Sequence, residues 1–138
     1  MKKRIYLSGA SNAYPKAWKK TIKDWFELYN DNEFKIFDPS EYYNYEEENN
    51  HYTDKEIMNY KLRAIKMSNV VLVNIDCLEY SIETNDEILY AYINDIPVIA
   101  FSKLIDPDIH PQKREQIDRI ETGKDALTKA MTYIASYY

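Results

Sequence analysis

Short apolar runs alternate along this chain with longer amphipathic stretches, and their order already suggests an architecture. Residues 4–8, Arg4-Ile5-Tyr6-Leu7-Ser8, read as a short buried strand that Gly9 ends before a polar loop over 10–14. Pro15 suits a first helical position. Trp18, Ile22, Trp25, Phe26 and Tyr29 then recur at helical spacing on one face, so a helix follows and ends near Asn30. Residues 34–37 form a second strand, stopped by Asp38-Pro39 because proline lacks a ladder donor and restricts the residue before it. A polar, tyrosine-containing loop over 40–52 reads as a lid or surface excursion. Thr53-Asp54-Lys55-Glu56 is a capping box, and the helix it opens runs to about Met67.

Residues 70–75, Val-Val-Leu-Val-Asn-Ile, lack alternation and suit a central strand covered on both faces, with Asp76 at its carboxyl end. The pattern continues with a helix over 84–93, a strand over 97–101, a fifth strand over 117–120 and a last helix framed by Thr122 and Asp125. The stripe Leu127, Ala130, Met131 and Ile134 reads as core packing. Strands alternating with helices predict an α/β, flavodoxin-like doubly wound sheet of about five mainly parallel strands in order 2-1-3-4-5, with helices on both faces. With 138 residues, no repeat and no internal boundary, the chain is expected to be a single domain over 1–138. In such sheets ligands bind beyond the carboxyl ends of the strands, which here carry Ser8-Gly9-Ala10 and Asp76-Cys77.

Composition narrows the chemistry. Two glycines, Gly9 and Gly123, exclude both a Walker-type loop and the G-x-G-x-x-G fingerprint. One cysteine with His51 and His110 leaves no Cys/His zinc framework, so no metal and no cofactor is expected, and chemistry falls to carboxylates, hydroxyls and backbone amides. A net charge of −5 argues against nucleic acid as partner, and no apolar run is long enough for a membrane span. A cytoplasmic protein is expected. Fourteen tyrosines offer ring faces and hydroxyls to a polar ligand, or simply pack.

The stretch from Asp76 through Ser81, Thr84 and Glu87 runs from the expected ligand-binding edge into a helix. Together with Ile5-Tyr6-Leu7-Ser8-Gly9 and Asp38-Pro39 it resembles the nucleoside 2-deoxyribosyltransferase family and its nucleoside and nucleotide N-glycosidase relatives, whose signature is S-x-G-T-x-x-E. The resemblance implies that Glu87 is a nucleophile at the anomeric carbon, holding a deoxyribosyl group covalently until a base or water takes it, and that Tyr6 orients it. It implies substrate-binding roles for Ser8, Gly9, Asp76, Ser81 and Thr84, a nucleoside and a free base as small-molecule partners, and a homo-oligomer. The residues alone leave other readings open. Thr84-x-x-Glu87 is itself a capping box, Asp76 suits a turn former, Ser81 a cap hydroxyl and Tyr6 a core ring. Asp86 reads as a first-turn dipole partner.

Two positions depart from the family pattern. Glu83 stands where the family has glycine, adding bulk and negative charge beside a helix start, which favours a nucleoside over a 5′-nucleotide. Lys61 stands where relatives carry an aspartate that helps protonate the leaving base; as a lysine it would hydrogen-bond a base carbonyl or donate a proton, or else be an exposed helix residue. Tyr42-Tyr43-Asn44-Tyr45 suits a cover for the base, and the terminal Tyr137-Tyr138 resembles aromatics that the family places near a site. The expected activity is cleavage of the N-glycosidic bond of a 2′-deoxynucleoside with transfer to a base or to water. The alternative is a catalytically weak nucleoside or ADP-ribose-like nucleotide binder on the same fold.

Overall fold

The computed structural model describes residues 2–10, 13, 17–30, 32–41 and 52–138. Its elements run β1 Lys3–Gly9, α1 Trp18–Asn30, β2 Phe34–Phe37, α2 Asp54–Lys66, β3 Val70–Asn74, α3 Ile82–Ile93, β4 Val98–Ser102, α4 Pro111–Arg114, β5 Arg119–Thr122 and α5 Ala126–Tyr137. The five strands form one parallel sheet in the order β2-β1-β3-β4-β5, the flavodoxin-like order expected from the alternating pattern.

The period of two along β1 divides the core. Ile5 and Leu7 face one side of the sheet, where Trp18, Ile22 and Phe26 of α1 and Ala130, Met131 and Ile134 of α5 cover them. Tyr6 faces the other side with Val71 and Val73, beneath Ile65 of α2 and Ile88 and Ala91 of α3. Every residue of β3 and β4 is buried, which is why neither strand alternates in sequence.

The capping box of α2 forms as its residues require: Glu56 N–H donates to Thr53 Oγ1 and Thr53 N–H to Glu56 Oε1, both at 3.1 Å. Other boundaries differ from expectation. β4 begins at Val98 because Pro97 contributes only its carbonyl, which accepts from Val71 N–H at 2.9 Å. β5 lies two residues later than the apolar residues suggest. Ile117 is a buried anchor outside the strand, whereas Arg119 within it lays its guanidinium 4.1 Å from the Tyr133 ring. Thr122 therefore closes β5, and Asp125 precedes α5 without a side-chain cap bond. The short α4 was hidden in a polar stretch; His110 Nδ1 caps it by accepting from Gln112 N–H at 3.1 Å, with Pro111 as first residue. On α1 the buried stripe is narrower than the spacing implied, since Trp25 is half-buried and Tyr29 is 65% exposed. Residues 42–51, including the tyrosine cluster, and Pro15 lie outside the described residues.

Among the described residues no helix is long and apolar enough to cross a membrane. Tyr138 packs with Tyr133 against the core layer of α1 and α5. That is the opposite face of the sheet from α3, so within this chain the terminal tyrosines are remote from Glu87.

Candidate active site

The chain leaves β3 through Cys77, whose left-handed φ of 65° turns it into a single 3-10 turn at Leu78–Tyr80. Ser81 then caps α3: its hydroxyl accepts from Thr84 N–H at 3.2 Å and shares a 2.7 Å hydrogen bond with Thr84 Oγ1. Asn85 ties the same turn down, donating from Nδ2 to the carbonyls of Leu78 and Ser81 at 2.8 Å each. The helix accordingly starts at Ile82, two residues before the expected position. Thr84 is its third residue, so Thr84-x-x-Glu87 is not a capping box, and Glu87 sits in the second turn with no backbone amide to cap.

Thr84, Glu87, Ile88 and Ala91 form the buried stripe of α3, so a carboxylate occupies a position that helix packing reserves for apolar side chains. Glu87 is 6% exposed, and among the described residues its Oε2 has no hydrogen-bond partner. Burial pushes its carboxyl up to about 7; the Tyr6 hydroxyl and the charge of Lys61 pull it down, and the charge of Glu83 adds to the rise. A buried carboxylate with an open oxygen and a pKa near neutrality is costly to a fold and is what nucleophilic or acid–base chemistry requires.

Tyr6 lies on β1 beneath the helix, wholly buried, with its ring stacked on Phe37 at 5.7 Å and 18°. It is a core ring whose hydroxyl also bears on the ionisation of Glu87. Ser8 is two residues further along the same face of β1. It is 2% exposed, and among the described residues its Oγ makes no hydrogen bond. Gly9 has a packing role: a Cβ there would meet Trp18 Cζ2 at 2.8 Å and Asn74 Cβ at 3.1 Å, so the room a side chain would need is filled by the Trp18 indole. Asp76 is neither a solvated turn former nor an open carboxylate. It is 7% exposed, accepts from Ser102 Oγ at 2.7 Å and Lys103 N–H at 3.2 Å, and thereby clasps the ends of β3 and β4.

A cleft of about 580 Å³ runs between α2 and α3, with Met58, Lys61, Leu62, Glu83, Glu87 and Tyr90 in its walls. Lys61 and Glu83 meet across it, Lys61 Nζ lying 3.2 Å from Glu83 Oε2. Lys61 is thus a cleft residue and not an exposed helix lysine. Asp86 also borders this cleft.

A further charge cluster escaped the sequence reading. Asp38, at the end of β2, is bound by Lys19 at 3.2 Å, Lys23 at 2.8 Å and Ser40 Oγ at 2.7 Å, while Lys23 also pairs with Glu41. Burial alone would raise the Asp38 carboxyl, but the Lys23 and Ser40 hydrogen bonds and the Lys19 charge hold it at about 2. The charge of Lys19 also reaches Glu87. The i, i+4 placement of Lys19 and Lys23 on an otherwise apolar-striped helix was the available signal. Among the described residues no group of three or more His, Cys, Asp or Glu is gathered as for a metal ion.

The arrangement of sheet, capped helix and buried glutamate can be set beside known proteins. No family model and no curated protein sequence matches the chain. Solved structures do match over nearly its whole length. A conserved protein from Enterococcus faecalis V583 superposes with a TM-score of 0.72 at 12% identity, covering 97% of this chain and 99% of that one. The 2-deoxyribosyltransferase from Bacillus psychrosaccharolyticus gives 0.65 at 18% identity, covering 98% and 92%. The CMP N-glycosidase BcmB from Clostridium botulinum gives 0.63 at 14%, covering 99% and 100%. The class this defines is one of fold: the flavodoxin-like α/β fold of 2-deoxyribosyltransferases and of a nucleotide N-glycosidase. A shared fold does not fix the chemistry, which depends on the side chains at the site.

Proposed function

We propose that this protein is a nucleoside 2-deoxyribosyltransferase-like enzyme that cleaves the N-glycosidic bond of a 2′-deoxynucleoside and passes the sugar to a second base or to water. The observation that carries the reading is Glu87, a carboxylate in the buried stripe of α3 with one oxygen open and the other side of its environment supplied by Tyr6. The sequence pattern from Asp76 to Glu87 and the shared fold add to it.

In this reading a Glu87 oxygen attacks the anomeric carbon as the base departs, forming a glycosyl ester. The Tyr6 hydroxyl, acting through Glu87, holds the carboxylate in place and favours its ionised form; it is a positioning residue. The Ser8 hydroxyl, buried and open on the same face, suits a sugar hydroxyl. Ser81 and Thr84 serve by fixing the start of α3, and Gly9 and Asp76 by fixing the strand ends, so their contribution to binding is indirect. A homo-oligomer belongs to the same proposal. Ile82 and Ile93 of α3 are 81% and 67% exposed, and a second copy covering them would bury that apolar surface.

The test is incubation of the protein with a panel of deoxynucleosides, with and without a second free base, beside Glu87→Ala. Glu87-dependent formation of a new deoxynucleoside identifies a transferase, and release of base and sugar alone a hydrolase. Turnover undiminished in Glu87→Ala removes the nucleophile assignment. Light scattering of the purified protein reads the oligomer directly.

A further inference from the structure

Lys61 on α2 and Glu83 on α3 form their ion pair across the cleft that Glu87 lines, and the two partners are not equivalent. The Lys61 side chain is 12% exposed and that of Glu83 67%, so the ammonium is the inner member and the carboxylate the outer one. An ion pair with one member this solvated is weak, so Glu83 by itself holds the ammonium only lightly. Both charges are felt at Glu87, Lys61 favouring its ionised form and Glu83 opposing it. Glu83 thus gives Lys61 a partner other than the nucleophile, which a direct ion pair would blunt.

The chemistry of an ammonium group then limits what it can do for a leaving base. It presents three donors and no acceptor, and its ordinary pKa near 10.4 makes it a better stabiliser of negative charge than a donor of protons. We propose, resting on the reading of Glu87 given above, that Lys61 receives the departing base by hydrogen-bonding the negative charge on a carbonyl oxygen beside the glycosidic nitrogen, and that the preferred substrates are 2,4-diketo pyrimidine deoxynucleosides. As the Glu87 oxygen bonds to C1′, the C1′–N1 bond breaks and its electron pair leaves with the base, spreading from N1 onto O2. The base departs as an anion paired with the Lys61 ammonium and takes its proton from water afterwards. Stabilisation of this kind exists only as charge develops, so it acts on the rate of bond cleavage more than on binding. Adenine and cytosine, which leave most readily after a ring nitrogen is protonated, gain less from such a group.

Base release is measured in single turnovers for the wild type, Lys61→Met and Lys61→Arg, with deoxyuridine, 5-fluorodeoxyuridine and deoxyadenosine. The 5-fluoro group makes the departing anion more stable, so it needs less help. The wild type is expected to favour the two pyrimidines. Lys61→Met should slow deoxyuridine by roughly 10²-fold and 5-fluorodeoxyuridine by about tenfold less, and Lys61→Arg should restore most of the rate. An equal loss on both pyrimidines, or a wild-type preference for deoxyadenosine, overturns the Lys61 assignment while leaving Glu87 in place. If the wild type releases no base from any of the three, the proposed activity and the Lys61 assignment fall together.

Discussion

Replacing Glu87 by glutamine should stabilise the fold at alkaline pH while abolishing turnover. The substitution keeps the shape of the side chain and removes its charge. In the unfolded chain the carboxyl loses its proton near the ordinary 4.5, whereas burial in the folded protein delays the loss to about 7. Between those values the folded state binds more protons than the unfolded one, so stability falls as pH rises. The contribution is fully present below about 4.5 and is lost as pH rises through 7. The gap corresponds to about 3 kcal/mol. Urea unfolding of wild type and Glu87→Gln at pH 4.5 and pH 8 reads this directly. The stability of the variant relative to wild type should increase by about 3 kcal/mol between the two conditions, near 10 °C in melting temperature at pH 8 for a chain of this size. Any fixed cost of seating the amide is the same at both pH values and cancels. Parallel stability profiles from pH 4.5 to 8 would refute the claim that Glu87 is an ionisable group held in the core against its preference.

The same titration should govern catalysis: kcat/KM should rise with pH and level off above about 7, since the nucleophile must be ionised, and a flat profile from pH 5 to 8 counts against that role. Tyr6→Phe retains the stacked ring and removes the hydroxyl, so the inflection should move to higher pH and kcat should fall, with little change in melting temperature. Asp38→Asn should cost about 2 kcal/mol near pH 7, because a carboxyl held at about 2 contributes stability above its ordinary 3.8 that is lost as pH falls through 2; the deficit in urea unfolding should therefore shrink in acid. Gly9→Ala should cost about 1–3 kcal/mol by overpacking, since the new methyl would meet Trp18 Cζ2 at 2.8 Å, and a melting temperature unchanged from wild type would show that the indole yields easily.

The chain advertises its elements wherever burial is complete, and misleads where polar residues do structural work. Residues 70–74 declared β3 because all five are buried. Ser102 and Thr122, by contrast, extend β4 and β5 past their apolar runs: the Ser102 side chain is spoken for by Asp76, and Thr122 completes the ladder opposite it. The start of α3 was obscured by Thr84, a fair cap by type, because the hydroxyl of Ser81 three residues earlier does that work. Glu87 and Tyr6 were singled out only through a resemblance, and what the structure adds is that both are buried on the same side of the sheet. The Lys61–Glu83 pair was not legible as a pair, since residues 22 apart on different helices meet only through the packing of α2 on α3. Asp38 was seen as a strand terminator, and its lysines went unremarked because i, i+4 lysines normally mark a solvated face.

Glu87 is better understood through the opposition of its neighbours than through any one of them. Burial and Glu83 hold it protonated, while Tyr6, Lys61 and Lys19 draw it towards the carboxylate, leaving it near the midpoint at neutral pH. A neutral nucleoside entering the cleft would displace water and weaken the screening of Lys61 and Glu83, strengthening both influences. In the mechanism proposed for Lys61, turning towards a base would break its pairing with Glu83 but leave a cation in the cleft as the base acquires negative charge. If Glu87 is the nucleophile proposed above, the ion pair keeps a positive charge in its cleft while giving that charge a partner on the solvent side.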